Sequence, residues 1–266
     1  MTYLAHERYC DEIAFQAGQL RELITSGADL SATVPTCPEW SLEQLVRHLG
    51  GALRWSGTLV RERAQELIPT ATIPLGGGPE ERGDPAALDA WLAECGELVV
   101  GALREAGPRA EVWSWTGVAT SGFWARRMAH EITVHRADAA LTAGAPYEVA
   151  PDIAADALDE GLELVEWVQR IGARDWAADL HGPARTLHLH ATDAEPELNA
   201  EWLVEMDGSG VSWRRGHEEA TVALRGPLTS VLLAFYRRLP LLDAPGLEVV
   251  GERAVLEFWL ENSNFG

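Results

Sequence analysis

The sequence has 266 residues, with 21 basic residues, every one of them Arg, against 41 acidic ones, for a formal charge of −20. That balance excludes a nucleic-acid binder, which needs a basic surface to neutralise phosphates, and a protein that docks on anionic lipid. A hydrophobic share of 47% and a charged share of 23% describe a folded globular chain, long enough for one large domain or two modest ones.

The first two-thirds reads as helix. From Tyr3 to about Ser26, apolar residues recur at helical spacing (Ile13, Ala17, Leu20, Ile24). Pro35 and Pro38 then exclude a regular helix over Val34–Trp40. Ser41 is a good N-cap, and Gln44 three residues on can complete a capping box for a helix that runs towards Arg63 with Leu42, Leu45, Val46, Leu49 and Leu53 on its apolar side. Residues 69–85, with Gly76-Gly77-Gly78-Pro79, read as a flexible linker; they lack the Lys-Ser/Thr of a phosphate loop. Asp84-Pro85 caps and opens a third helix that stops near Gly107-Pro108. A fourth spans about Ser121 to Thr142, and Pro151-Asp152 opens a fifth running to about Ile171.

After Gly182-Pro183 the period changes. Thr186 to Thr192 alternates with period two, a strand signal, and Glu201–Met206 with Val211–Arg214 reads as a hairpin around Asp207-Gly208-Ser209-Gly210. Ala220–Leu224 and Leu247–Val250 read as extended, Pro227–Arg238 and Arg253–Glu261 as helical. The expected architecture is a two-domain α+β protein: a helical bundle over 1–175 and a small α+β domain over 180–266. Three Cys with no CxxC pair argue against a disulfide framework, no apolar run is long enough for a membrane span, and the N-terminus does not resemble a signal peptide, so a cytoplasmic location is expected. The 11 Trp are expected mainly in packing, with Trp40 and Trp55, flanking the His48 helix, as possible pocket walls.

The chemical signal is strongest at His130-Glu131-Ile132-Thr133-Val134-His135 on the fourth helix. It is one residue too long for the zincin motif HExxH. The two His are five apart and turned by roughly 140° at about 100° per residue, onto different faces. Glu131 and His135 are four apart and share a face, where they can serve as an ion pair or as two ligands of a divalent metal. The third ligand would come from another helix, and His48, set among Leu45, Val46, Leu49 and Leu53, is the natural choice. Spacing alone favours the simpler reading of an ion pair and a hydrogen-bonded core histidine.

Other patterns are weaker. His188 and His190 face the same way on a strand, with His181 or Asp193 as conceivable third ligands; strand-face packing is the simpler reading. Cys37 could be a nucleophile, but nothing flanking it suggests an activated thiolate.

Val34–Gly51 and Arg126–Ala139 resemble the signature segments of the actinobacterial mycothiol-dependent maleylpyruvate isomerase family. Thr186–Asp193, Val222–Pro227 and Leu247–Arg253 resemble its C-terminal domain. The resemblance implies a DinB-like four-helix bundle followed by a small α+β domain similar to sterol carrier proteins. It implies a divalent metal, usually zinc, on His48, Glu131 and His135, and the thiol cofactor mycothiol. Arg225 becomes a candidate for an anionic substrate. The implied partners are a small electrophilic substrate and the thiol, in a monomer or homodimer. The implied reaction is cis–trans isomerisation by thiolate addition, rotation and elimination, or S-transfer by attack without elimination. The alternatives are a module that only binds an apolar ligand and a thiol-independent, metal-assisted hydrolase. Arg without Lys fits an actinobacterial source.

Overall fold

The computed structural model describes residues 3–173, 183–241, 244 and 246–263. The chain forms two compact units that meet between Tyr147 and Glu148.

The first unit is a four-helix bundle. Helices α1 (His6–Thr25), α2 (Leu42–Arg61), α3 (Pro85–Ala106) and α4 (Ser121–Ala143) pack so that α1 touches α3 and α4, and α2 does the same from the other side. The caps are those the sequence specifies. Ser41 Oγ accepts the Gln44 backbone N–H while Gln44 Oε1 accepts that of Ser41, and Asp84 accepts from Ala86 and Ala87 ahead of Pro85. Gly144 ends α4 in the left-handed conformation. α4 lies between two helices and is buried on both sides, so it carries buried Arg, His, Thr and Asp as well as Ala. Between α1 and α2 the chain makes a short antiparallel hairpin of β1 (Thr33–Val34) and β2 (Cys37–Ser41), where the two Pro had suggested only a loop.

The Gly-rich segment before α3 is not a free linker. The buried Arg47 guanidinium donates to the carbonyls of Gly77 (3.0 Å), Pro79 (2.8 Å) and Glu81 (2.6 Å). Arg54 donates to Pro74 O, and the Trp55 and Trp91 indoles to Ile68 O and Leu75 O. The segment is a strap across α2 and α3. A Cβ at Gly51 would stand 2.5 Å from Gly76 O, so glycine there is what lets the strap approach.

The second unit begins with α5 (Pro151–Arg170) and continues through β3 (Arg185–Ala191), β4 (Glu201–Asp207), β5 (Gly210–Arg215), β6 (Val222–Gly226), α6 (Leu228–Phe235), β7 (Glu248–Gly251) and α7 (Arg253–Asn262). The sheet order is β5-β4-β3-β6-β7, antiparallel except where β3 runs parallel to β6. The two-domain α+β class expected from the sequence is the one observed, but the division falls at residues 147/148 instead of 175–180. Ala154, Leu158, Leu162 and Val165 of α5 share one core with Leu187, Leu189, Trp202 and Trp259, so α5 belongs with the sheet. The sequence signals where periodicity changes, and this helix changes partner one element earlier. Among the described residues, no helix is long and apolar enough to cross a membrane.

Candidate functional site

Two facing helices of the bundle build one polar cluster. α4 sets Glu131 and His135 one turn apart on a shared face, and α2 presents His48 to them. Glu131 Oε1 lies 3.2 Å from His48 Nε2 and 3.4 Å from His135 Nε2. The two imidazole rings meet edge to face at 5.2 Å. One ligand atom from each of the three residues falls within 4.8 Å of the others. His48 is the accessible member, with 39% of its side chain exposed, and the Trp40 ring from β2 lies 4.8 Å from it. The face opposite His135 is occupied differently: His130 is buried with its ring against Tyr9 of α1, as a separation of five residues requires.

Behind the cluster stand groups that the spacing argument did not single out. Asp138, fully buried, accepts from His135 Nδ1 at 2.8 Å and holds Thr36 Oγ1 at 2.5 Å. Arg127 Nη2 donates to the second Glu131 oxygen at 2.8 Å. Burial works to raise the Glu131 carboxyl. The bonds from His135 and His48 and the Arg127 charge outweigh it and hold the group well below the usual carboxylate range. Burial likewise works against charge on His135, but Asp138 and Glu131 prevail and lift its imidazole to about 9.

The donor set fits a divalent ion of zinc type. Two imidazole nitrogens and one carboxylate oxygen converge from a rigid pair of helices. His135 is fixed through Nδ1 by a carboxylate, the arrangement in which its Nε2 serves as a ligand. An ion held by these three residues would keep a fourth position for another ligand, and His48 is the member of the set that faces solvent.

The remaining sequence candidates lie elsewhere. Trp55 is not at the cluster; its ring joins Trp113 and Trp124. Cys37 is half-buried on β2. Arg225 is exposed on β6 of the second unit, 3.8 Å from Glu248. His188 and His190 are on β3 with Glu201 and His217 beside them; Asp193 instead accepts the Leu228 backbone N–H, and His181 lies outside the described residues.

The sequence matches two family models: residues 11–140 the mycothiol maleylpyruvate isomerase N-terminal domain, and residues 152–258 the C-terminal domain of the same family. A search of curated proteins returned no match. Among solved structures, the crystal structure of the mycothiol-dependent maleylpyruvate isomerase shares the fold, with a TM-score of 0.59 at 16% identity over 95% of this chain and 97% of that one. A mutant of the same protein with one histidine replaced by alanine superposes equally well, at a TM-score of 0.59 and 16% identity.

Proposed function

The chain belongs to the mycothiol-dependent maleylpyruvate isomerase family and is an enzyme of that mycothiol-using class; on that premise we propose that its reaction depends on a divalent metal, zinc by preference, held by His48, Glu131 and His135. The observation that carries this reading is the convergence of two imidazoles and a carboxylate with Asp138 fixing one imidazole from behind. When bound, the ion supplies an open coordination position at which a small-molecule thiol is kept as thiolate near neutral pH.

The chain's own residues do the rest. Glu131 stays ionised under Arg127, and Asp138 sets the tautomer of His135. His48 and Trp40 line the open side, where a small electrophile approaches. The thiol would supply reversible addition to a cis double bond, so that rotation about the resulting single bond and loss of the same thiolate would leave the double bond trans. No atom is gained or lost, and the thiol is returned. S-transfer to an electrophile would begin with the same attack and omit the expulsion.

The test joins metal analysis to turnover with and without mycothiol. The native protein is expected to turn over a cis-enoyl dicarboxylate only with the thiol present and to stop on chelation. His48→Ala is expected to lose one equivalent of metal and at least 100-fold in thiol-dependent turnover. Turnover without thiol would establish a hydrolase instead. Apolar-ligand binding that ignores chelators, with no turnover at all, would establish a binding module.

A further inference from the structure

The face of the second unit's sheet that points away from its apolar core carries a cluster which the reaction above does not use. The period of two along β3 sends Leu187, Leu189 and Ala191 into the core and His188 and His190 to the opposite face. The antiparallel register sets Glu201 of β4 directly across from His190. The chain leaving β5 then turns back and brings His217 to the same place. Glu201 Oε2 is the common point, 2.9 Å from His188 Nε2, 3.8 Å from His190 Nδ1 and 2.5 Å from His217 Nδ1. The three imidazole rings stand 5.1 to 5.6 Å apart, and one ligand atom from each of the four residues lies within 4.8 Å of all the others.

We propose that His188, His190, Glu201 and His217 form a second divalent-metal site, separate from that of the bundle. A tetrahedral ion with bonds of roughly 2.0–2.1 Å holds its ligand atoms roughly 3.4 Å apart, so side-chain rotation alone closes this set. Two features of the structure point to a ligand. The Nε2 atom of His188 is buried and makes no hydrogen bond of acceptable geometry, although Glu201 is near; a coordinate bond would satisfy it. The backbone is also preset. Gly216 N–H donates to Glu201 O at 3.0 Å, and Arg215 is locked by both oxygens of Asp159 (2.9 and 2.7 Å) and by Leu198 O, which fixes the chain just before His217.

Three imidazoles and one carboxylate suit zinc, copper(II) or nickel over calcium or magnesium. Four protein ligands complete a tetrahedron, which is the mark of a structural site. Its effect would be to staple the segment after β5 onto β3 and β4.

The test is zinc titration of the full chain stripped of metal, with cobalt(II) absorption as a second reading of tetrahedral coordination. The native chain is expected to bind two zinc ions. His48→Ala is expected to keep the second-unit ion, His190→Ala to keep only the bundle ion, and the double variant to bind none. The side chain of His217 is 70% exposed, so His217→Ala leaves folding intact should His190→Ala not. It is expected to weaken one of the two zinc ions at least tenfold and to leave the other unchanged. A His48→Ala protein that binds no zinc, or a His217→Ala protein that binds both ions with native affinity, would overturn the proposal. The bundle site fails by a different result, equal zinc binding by His48→Ala and the native chain, so the two claims stand or fall separately.

Discussion

At the scale of the residue, what the sequence could disclose was spacing. A spacing of four from Glu131 to His135 puts both on one face, and a spacing of five from His130 to His135 puts them on two; both relations hold in the bundle. The same was true of His188 and His190, whose shared strand face was plain but whose partners Glu201 and His217 were not, because register and the path after β5 decide them. Asp138 and Arg127 escaped notice for a related reason: i,i+3 and i,i+4 charges abound on helices, and only burial marks these two as special. In the proposed metal site Asp138 is a positioning residue, through its bond to His135 Nδ1. Asp138→Asn is expected to weaken zinc at the bundle site by about 10–100-fold while the fold persists, as competition with a chromophoric chelator would measure. A second expectation concerns the thiols. Burial pushes Cys10 and Cys95 up to about 11, whereas Cys37 is half-buried on the hairpin. At about pH 8, iodoacetamide is expected to alkylate Cys37 alone in the folded chain and all three after unfolding, read by mass spectrometry.

At the scale of the element, helix starts were legible because caps are local chemistry. The reciprocal Ser41–Gln44 pair is formed, and it fixes the first turn of the helix that carries His48. Ser41→Ala is expected to cost about 1 kcal/mol in denaturant unfolding. What an amphipathic helix packs against is not local, and α5 shows it: its apolar stripe would suit a bundle, yet it meets a sheet. The strap over 69–84 was misread for the same reason, since the Arg47 donors that hold its carbonyls lie about thirty residues away. α5 also carries a group at odds with its setting. Burial raises the Glu166 carboxyl despite the hydrogen bonds it accepts from Trp213. The folded chain therefore binds that proton more tightly than the unfolded one, and the ionised side chain costs stability in full only above the raised folded value. Glu166→Gln is expected to raise the Tm at about pH 8, with the gain shrinking as pH falls towards the ordinary Glu value of about 4.3.

At the scale of the whole molecule, the charge of −20 bears on encounter with substrate. An anionic electrophile would have to approach against that field. Raising ionic strength from about 10 to about 150 mM shortens the screening length from about 30 to about 8 Å. kcat/KM for a dicarboxylate is therefore expected to rise with salt, and that for a neutral electrophile to stay level. The fold class was legible in the chain because the alternating period begins only after a long run of helical ones. The exact seam was not, because it is set by which surfaces pack and not by which period is written. One consequence lies in the indoles at the end of the bundle. Trp55 and Trp124 stand edge to face at 5.1 Å, and Trp115 meets Trp124 at the same 5.1 Å. Chromophores this close couple their electronic transitions, so the bundle carries its own optical signature: a couplet in circular dichroism that reports its tertiary order with no label attached and fades when that packing loosens.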